Sequence, residues 1–390
     1  MNSRERFNSV MNFEVGSRTL YWEMGYWAGT IRRWYKEGLQ NQGRILESIS
    51  SSKTVTGEEI PSPESDNPRD VEVASAMGLD KGMMRFPIEH WIYPKFEKAV
   101  IKETETCIIL IDENGIKQEI FKKGGSMPCF LGYPVSGRDD FEKIKERFNP
   151  DDPGRFPKNL LDVIKQLLDR DYPIALGGFP VGVGFFGSLR ELMGFEGALT
   201  SYYVDPKLTK DILTFLTDFL INLWEKVLSY ITVDVVYIWE DMSYKCGSLI
   251  SPALFREFML PCYKRLTGFI KSHGINTIFV DTDGNCTELI PLFMEGGVTG
   301  MYPFEVQAGM NVTQIANDFP TLQIMGGIDK TKLKSKELID KELEEKVPFV
   351  LKRGGYIPSL DHLAPPDISW ELFVYYRNKL NQMIQNNIKK

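Results

Sequence analysis

Two aspartates spaced two residues apart, Asp281 and Asp283, are the residues whose type and spacing best suit catalysis. They end the strand-like run that begins at residue 277, and alternate residues of a strand project to the same side. Two carboxylates so close repel each other unless a metal ion, a cation, a hydrogen-bond network or a shared proton stabilises them. We therefore predict a metal site or an acid/base pair. The alternative is that one aspartate caps the next helix and the other accepts hydrogen bonds from loop amides.

A histidine and a glutamate follow two other apolar runs. His362, one of three histidines, comes directly after the run 356–360 and Asp361. There it can act as a general acid, a general base or a metal ligand, or as a hydrogen-bonded structural residue. Glu240 follows the run 233–239 in the same way. The predicted catalytic residues, which are also the predicted ligands of a divalent metal ion, are Glu240, Asp281, Asp283 and His362.

Aromatic and acidic residues at the strand ends are expected to bind the substrate. Trp22 and Tyr26 lie at and just past the first predicted strand, and Phe179 follows the second. Aromatic residues at such positions more often pack against the protein than stack on a ligand, but together they suit a broad, flat pocket that would accept a corrin or porphyrin. The predicted substrate-binding residues are Trp22, Tyr26, Phe179, Tyr302, Glu305 and Asp329.

A repeating strand–helix pattern positions these residues. Five short apolar runs in the second half of the chain each end in acidic residues, and the segments between them are long enough for helices. This alternation predicts βαβ units with a parallel sheet, whose functional residues lie at the C-terminal ends of the strands. An eighth strand is expected within 84–111. The seven strands predicted directly lie near 19–23, 173–178, 233–239, 276–281, 297–302, 321–326 and 355–360.

Residues 48–125 interrupt the pattern and are predicted to form an inserted loop and β-hairpin. Residues 48–68 are rich in Ser, Thr, Glu and Pro, which is typical of a loop. Asn114-Gly115 separates two strand-like runs, which is the strongest short signal for a hairpin. A Gly-rich stretch at 182–187 precedes a helix. It predicts a tight turn or, less strongly, an anion site at the helix N-terminus.

Composition excludes several classes of function. The 390 residues are 43% hydrophobic and 25% charged, as in ordinary globular proteins with a large core. A net charge of −7 without a Lys/Arg-rich run argues against nucleic-acid binding. No apolar window is long enough to cross a membrane, and the N-terminus lacks the apolar region of a signal peptide. Five scattered cysteines without metal-binding spacing suit a reducing, cytoplasmic location.

Six segments of the chain carry a resemblance to one known family. They are Ser3-Arg4-Glu5-Arg6, Glu240-Asp241-Met242-Ser243-Tyr244-Lys245, Ser251-Pro252-Ala253-Leu254-Phe255-Arg256-Glu257-Phe258, Asp281-Thr282-Asp283-Gly284-Asn285, Gly326-Gly327-Ile328-Asp329 and Ser359-Leu360-Asp361-His362. With these segments the sequence resembles the uroporphyrinogen decarboxylase superfamily. That superfamily includes the decarboxylase of haem synthesis and methyltransferases that pass methyl groups to or from corrinoids or on to coenzyme M. The resemblance implies a single domain over 1–390 with the α/β fold of a distorted (β/α)8 TIM barrel.

Departures from the family's patterns bear on the reaction. The decarboxylase holds its substrate's carboxylates with an arginine-containing loop after the first strand, but residues 22–27 contain no arginine. An acidic, aromatic site there would disfavour a substrate with eight carboxylates. The zinc methyltransferases use a His-x-Cys pair and a late cysteine, where this sequence has Asp281-Thr282-Asp283, Ser359 and Asp361. Oxygen and imidazole donors therefore replace the soft thiolate ligands. His362 matches a histidine in the decarboxylase's late loop.

The resemblance and its departures together predict a cytoplasmic enzyme that transfers a methyl group between a small methylated substrate and a corrinoid on a partner protein. Asp281, Asp283 and His362 would then assist the leaving group. The alternative is a decarboxylase of a uroporphyrinogen-like tetrapyrrole, and a second alternative is a non-catalytic protein that binds a tetrapyrrole or corrinoid. A homo-oligomer is a further expectation, and neither nucleic acid nor a membrane is an expected partner.

Overall fold

The computed structural model describes residues 1–14, 16–40, 52–53, 59–60, 71–122, 128–178 and 183–387. Strands and helices alternate through most of the chain, as the sequence predicts. The strands are β1 (Ser52–Lys53), β2 (Glu59–Ile60), β3 (Met84–Arg85), β4 (Ala99–Glu103), β5 (Cys107–Ile111), β6 (Lys117–Phe121), β7 (Cys129–Gly132), β8 (Ile174–Gly177), β9 (Val235–Trp239), β10 (Ser243–Tyr244), β11 (Gly247–Ser248), β12 (Ile278–Asp281), β13 (Gly300–Tyr302), β14 (Gln323–Ile328) and β15 (Tyr356–Leu360).

Helices connect most of these strands and pack outside the sheet. Short 3₁₀ segments and one π-helical segment, Phe255–Met259, extend several of them. The helices are α1 (Ser3–Met11), α2 (Ala28–Lys36), α3 (Val71–Met77), α4 (Arg138–Ile144), α5 (Leu160–Leu168), α6 (Phe186–Val204), α7 (Pro206–Leu228), α8 (Pro252–Leu254), α9 (Leu260–Ser272), α10 (Ile290–Glu295), α11 (Val312–Asp318), α12 (Lys336–Arg353) and α13 (Trp370–Asn387). None of the described helices is both long and apolar enough to cross a membrane.

Seven strands form one parallel sheet that curls into a distorted TIM barrel. Their order is β15-β14-β13-β12-β9-β8-β3, and every neighbouring pair is parallel. Six strands of this sheet, β8, β9, β12, β13, β14 and β15, are buried throughout, because helices cover their outer face and the barrel core covers their inner face. Six of the seven directly predicted strands are confirmed. The strand expected within 84–111 is β3, at Met84–Arg85.

The predicted strand at 19–23 does not form, although the segment occupies the remaining place beside β15. Side chains replace the backbone ladder there: Thr19 Oγ1 donates a hydrogen bond to the carbonyl of Tyr356 (2.6 Å). Leu360 N donates in turn to the carboxylate of Glu23 (3.1 Å). The apolar alternation located the segment correctly, but it carries no information about whether the backbone or side chains make the hydrogen bonds. The barrel is therefore closed by side chains at this point.

Apolar residues form two cores, one inside the barrel and one between the sheet and its helices. Alternation along the strands separates them, since Met83 packs inside and Met84 and Phe86 pack outside. Helix α1 closes the N-terminal end of the barrel, so the C-terminal end is the open one, here called the mouth. The inner core consists of Phe7, Val10, Met11, Leu20, Trp22, Met83, Ala175, Val235, Tyr237, Phe279, Tyr302, Met325 and Ile357.

The inserted region forms a four-stranded antiparallel sheet in the order β4-β5-β6-β7. The hairpin predicted at Asn114-Gly115 is confirmed, because the turn joins β5 to β6 in a continuous register. Gly115 has a φ of +81°, which favours glycine over any residue with a side chain. The sheet extends to Gly132, past the predicted end near 125. Of the loop predicted at 48–68, only 52–53 and 59–60 lie within the described residues.

The inserted sheet leads back to the barrel along helix α6. Val135 N donates a hydrogen bond to the carbonyl of Leu192 (2.9 Å). Tyr133 lies so close to Gly194 that a Cβ on this glycine would come within 2.3 Å of its ring. Gly194 also has φ of 78° and divides α6 into two helical parts. The insertion is thus anchored to the helix whose N-terminus lies at the mouth.

Candidate functional site

Four polar side chains lie above the inner core at the mouth. Arg85, Tyr237, Asp281 and Tyr302 come from β3, β9, β12 and β13, at or near the C-terminal end of each strand. Tyr237 and Tyr302 also belong to the inner core, and their rings meet edge to face at a centroid distance of 5.2 Å. Electrostatic interactions connect Arg85 to the other three residues. The end of the barrel core is therefore a polar layer that faces the mouth.

Asp281 is a buried carboxyl group that keeps its proton at neutral pH. Only 6% of the residue is exposed, and burial is the main reason why its pKa rises to about 8. The negative charge of Asp283 raises the pKa further, whereas a hydrogen bond from Tyr302 and the nearby His362 oppose the rise. A carboxyl group with a pKa near the working pH is well suited to donate and accept a proton.

Asp283 and His362 form an ion pair beside Asp281. His362 Nε2 lies 3.6 Å from Asp283 Oδ2. Burial alone would lower the pKa of His362, but its interactions with Asp283 outweigh burial and raise the pKa above the ordinary value. The structure thus brings together three of the four predicted catalytic residues. A protonated carboxyl group and a histidine–aspartate pair in contact can exchange protons with a bound molecule.

Glu305 borders the same cluster. Its Oε2 accepts a hydrogen bond from Gly284 N (3.1 Å), and its Oε1 lies 3.8 Å from Lys330 Nζ. Burial, followed by the charge of Asp283, raises the pKa of Glu305. Two acids in this region therefore hold protons more tightly than free carboxylates do. The prediction that Glu305 lies at the site agrees with this position, while its role in binding substrate stays a prediction.

Glu240 binds the N-terminus of helix α6. Its fully buried carboxylate accepts hydrogen bonds from the amides of Phe185 (3.0 Å), Phe186 (2.7 Å) and Gly187 (3.1 Å), and from the hydroxyl of Tyr263. Burial raises its pKa to about 7, although these donors oppose the rise. The Gly-rich stretch thus presents its amides to an anion, as one interpretation of the sequence expects. That anion is a side chain of the protein itself.

The predicted metal ligands do not assemble into one set. Within the described ranges, no group of three or more His, Cys, Asp and Glu residues has an arrangement that would hold a metal ion. Glu240 uses both carboxylate oxygens at the helix N-terminus, which removes it from the predicted four. Asp281, Asp283 and His362 remain together, with His362 Nε2 3.6 Å from Asp283 Oδ2. We therefore derive no step through a metal ion.

Two of the predicted aromatic residues are core residues. Trp22 is 8% exposed and lies in the inner core. Tyr26 is packed outside the sheet against the rings of Trp34 and Phe373, at centroid distances of 5.2 and 5.5 Å. The broad aromatic wall expected for a flat ring system is therefore not formed by these two side chains. Phe179, the third predicted aromatic residue, lies outside the described residues.

Asp329 holds a loop together beneath the surface of the mouth. It is 1% exposed, and its carboxylate accepts hydrogen bonds from the amide (2.9 Å) and hydroxyl (2.7 Å) of Thr331. The side chain of Gln307 also donates to it (2.9 Å). These contacts give Asp329 a structural role in the loop, while its role in binding substrate stays a prediction. Tyr302, in contrast, lies in the polar layer with Asp281, and its role in binding substrate stays a prediction.

An open groove of about 300 Å³ runs beside the cluster. Asp283 and Glu305 line one part of it, and the exposed aromatic residues Phe195 and Tyr244 line another. Asp241, which also borders the groove, pairs with Arg190 (2.8 Å) and has a φ of 44°, a conformation strained for a residue with a side chain. The groove gives a second molecule access to the acid cluster.

Arg85 is the site residue that the sequence interpretation missed. It is exposed, and among the described residues no acid lies within salt-bridge distance of it. Desolvation at the mouth lowers the pKa of Arg85, and its interactions with Tyr302, Asp281 and Tyr237 oppose this decrease only in part. The run Met83-Met84-Arg85 has the same pattern of apolar residues followed by a charge. Sequence alone does not single out this run, because the other strands end in acids.

The expectation of an acidic mouth at 22–27 is wrong. The carboxylate of Glu23 is 1% exposed and pairs with Arg377 Nη1 (2.7 Å). It also accepts a hydrogen bond from the hydroxyl of Tyr376 (2.8 Å). Since Glu23 is neutralised on the outer side of the barrel, it does not repel an anionic substrate. Near β3, Arg85 instead gives the mouth a positive charge.

Comparisons with known proteins agree with this architecture. The profile of the family described as uroporphyrinogen decarboxylase (URO-D) matches residues 105–374, which is more than half of the chain. A methyltransferase from Methanosarcina mazei has a similar structure, with 13% sequence identity, 99% coverage of both chains and a TM-score of 0.57. At this identity the likeness concerns the fold alone.

Two further comparisons add no functional information. The 3-keto-D-glucoside 4-epimerase YcjR from E. coli, in its apo form, has 12% identity with this chain. The match covers 63% of this chain and 93% of the epimerase, and its TM-score of 0.30 is too low to support an argument. No curated protein sequence matches the chain.

Proposed function

Because the chain belongs to the uroporphyrinogen decarboxylase family, we propose that it is a methyltransferase acting between a small methylated substrate and a corrinoid on a partner protein. The observation that carries this proposal is the protonated Asp281 beside the Asp283–His362 pair. When a methyl group leaves an oxygen, nitrogen or sulfur atom, that atom keeps the bonding electrons and needs a proton. A buried acid at the mouth supplies one.

Each residue of the cluster then has a defined task. Asp281 donates its proton to the atom that loses the methyl group, and the hydrogen bond from Tyr302 orients the Asp281 carboxyl group. His362, whose positive form is stabilised by Asp283, returns a proton to Asp281 after each turnover and takes up its own replacement proton from solvent. In the reverse direction Asp281 takes the proton from the methyl acceptor. A corrinoid, when bound, supplies the cobalt that accepts or donates the methyl group.

The groove supports the involvement of a partner-borne group. Trp22 and Tyr26 cannot form the wall for such a group, since both are core residues. Phe195 and Tyr244 are 45% and 66% exposed and border a groove that reaches Asp283. A flat ring system that entered along these two residues would meet the acid cluster without any change to the barrel core. The corrinoid is therefore expected to approach through the groove.

Arg85 favours one other reaction, the decarboxylation of a carboxylated ring such as a uroporphyrinogen-like tetrapyrrole. A positive charge at the mouth and the neutralised Glu23 remove part of the electrostatic objection to such a substrate. A single guanidinium still offers little compensation for eight carboxylates. Decarboxylation is thus the second candidate. It predicts release of carbon dioxide from a porphyrinogen, which the same purified protein can be tested for.

The deciding experiment follows the spectrum of cob(I)alamin and methylcobalamin while purified protein is supplied with methyl ethers, methylamines and methyl thioethers. We expect methylation of cob(I)alamin with at least one donor. Asp281→Asn should lower the rate by roughly a hundredfold or more, whereas the exposed Asp318→Asn should leave it unchanged. Absence of methyl transfer with every donor, or full activity of Asp281→Asn, would refute the proposal. Binding of cobalamin without turnover would instead indicate a non-catalytic binding protein.

A further inference from the structure

We propose that Arg85 binds a carboxylate of the substrate, so that the methyl donor is a small methylated carboxylic acid. This inference rests on the proposed methyl transfer and specifies the class of molecule that the site accepts. It assigns a substrate-binding role to a residue at the end of β3, a strand that the family profile does not reach.

The strand geometry directs Arg85 into the barrel mouth. Met83 packs in the inner core and Met84 in the outer core, so Arg85 takes the inner side by alternation. Its neighbour in the register is the small residue Ala175, which leaves room above the inner core. A Cβ placed on Gly178 would lie 3.5 Å from Arg85 Nε and 3.6 Å from Cζ. Gly178 itself therefore places no side chain against the guanidinium.

Arg85 differs from other arginines of the barrel in lacking an acidic partner among the described residues. Arg170 pairs with Asp234 (2.7 Å) at the closed end, and Arg377 pairs with Glu23 (2.7 Å) outside the sheet. Asp281, an acid close enough to interact with Arg85, retains its proton at neutral pH because its pKa is about 8. Among the described residues, no ionised acid therefore pairs with the guanidinium at neutral pH.

The shape of the guanidinium selects the ligand's chemistry. Its planar array of N–H donors matches the two oxygens of a carboxylate, which it can bind through two parallel hydrogen bonds. A donor held in this way by Arg85 would extend past the rings of Tyr237 and Tyr302 toward Asp281. Its methylated atom would then meet the proton donor. Sulfonates and phosphates carry the same charge with different geometry, so the experiment must compare them.

Binding can be measured independently of turnover with two probes of nearly equal shape, methoxyacetate and 2-methoxyethanol. We expect the anionic methoxyacetate to bind roughly tenfold or more tightly than the neutral alcohol in isothermal titration calorimetry. Arg85→Met should abolish this preference, and Arg85→Lys should restore only part of it. The exposed Arg265→Met, whose native side chain pairs with Asp218 on the helical surface, is the matched control and should keep it. Methoxymethanesulfonate and methyl phosphate are expected to bind more weakly than methoxyacetate.

Chemical labelling gives a second measurement that needs no variant. Phenylglyoxal modifies accessible arginines, and peptide mass spectrometry should show that methoxyacetate protects Arg85 while 2-methoxyethanol does not. Equal binding of both probes, an unchanged preference in Arg85→Met, or no protection of Arg85 would overturn the inference. Preferential binding of a sulfonate or phosphate would also overturn its carboxylate assignment.

The two proposals fail in different ways. Methyl transfer from neutral donors with a KM that Arg85→Met leaves unchanged would sustain the proposed function and reject the carboxylate site. Carboxylate binding through Arg85 in a protein that never transfers a methyl group would sustain the site and reject the reaction. A KM increase in Arg85→Met for acidic donors, with kcat changed less, is the result expected if both are correct.

Discussion

Asp281 shows how a single residue's chemistry depends on its neighbours more than on its type. Close spacing with Asp283 predicts that the two carboxylates need a shared proton or a cation. The structure provides both, since Asp281 keeps its proton and Asp283 pairs with His362. Burial of one aspartate and partial exposure of the other separate their behaviour. Asp281 can therefore act as a proton donor, while the charge of Asp283 holds His362 in place.

This arrangement makes stability depend on pH through Asp281. Its pKa is 3.8 without the surroundings of the fold and about 8 within them. Between these values the folded state binds one more proton than the unfolded state, so the free energy of unfolding falls as the pH rises. Asn cannot ionise. We expect the Tm of Asp281→Asn, measured relative to wild type by calorimetry, to rise by a few degrees between about pH 5 and about pH 9.

The control for this measurement is Asp318→Asn, an exposed substitution of the same type. Its Tm relative to wild type should change little over the same pH range. His362, Asp283 and Asp241 also interact with Asp281 and remain in both the wild type and the Asp281→Asn variant. A constant Tm difference between Asp281→Asn and wild type would show that Asp281 is ionised in the folded protein, which would also remove the proposed proton donor.

Helix α6 illustrates what sequence can and cannot predict about an element. The Gly-rich stretch and the following helix were predicted, and the possibility of an anion at the helix N-terminus was recognised from the backbone amides alone. The identity of the anion required the fold, because Glu240 lies about 55 residues away in the chain. In the sequence, Glu240 and Asp281 both follow an apolar run. Sequence alone therefore does not distinguish Glu240, which caps a helix, from Asp281, which is the proposed proton donor.

Glu240→Gln tests the capping role. Both carboxylate oxygens of Glu240 accept hydrogen bonds from the amides of Phe185 to Gly187. In Gln, an NH2 group replaces one of these two acceptors and would face the backbone N–H donors. We expect a loss of roughly 2–3 kcal/mol in the free energy of unfolding, measured by urea denaturation. Tyr263→Phe removes one hydroxyl donor from the same carboxylate and should cost less, about 1 kcal/mol.

A catalytic Glu240 would give a different pattern. Its substitution would then reduce methyl transfer while the urea midpoint stayed at the wild-type value. A capping residue instead moves the midpoint and affects the rate through the position of α6. Wild-type stability of Glu240→Gln would therefore contradict the assignment made from the hydrogen bonds.

The whole barrel was largely predictable because each strand has its own apolar signal. Runs such as 233–239 and 276–281 are buried on both faces, and their composition reflects this burial. Two features are predictable only in part. The sequence places β3 no more closely than within 84–111, because this strand is two residues long and carries an arginine. Segment 19–23 has the apolar pattern, but side-chain hydrogen bonds replace its backbone ladder. Local patterns reveal which segments are buried, whereas distant partners decide how they are joined.

Backbone hydrogen bonds join Gly25 and Trp27 to Ala364. Beside residues 19–23, closure of the barrel instead depends on side chains, above all on the buried pair Glu23–Arg377. Both residues are at most 1% exposed, and Glu23 joins helix α13 to Leu360 at the end of β15. Removing one partner leaves the other charge buried without compensation, so Arg377→Met should lower the free energy of unfolding by about 3–5 kcal/mol. Glu23→Gln with Arg377→Met removes both charges and should recover part of this loss. A double-mutant cycle in urea measures the coupling between the two residues. Additive effects of the two substitutions would show that the pair does not close the barrel.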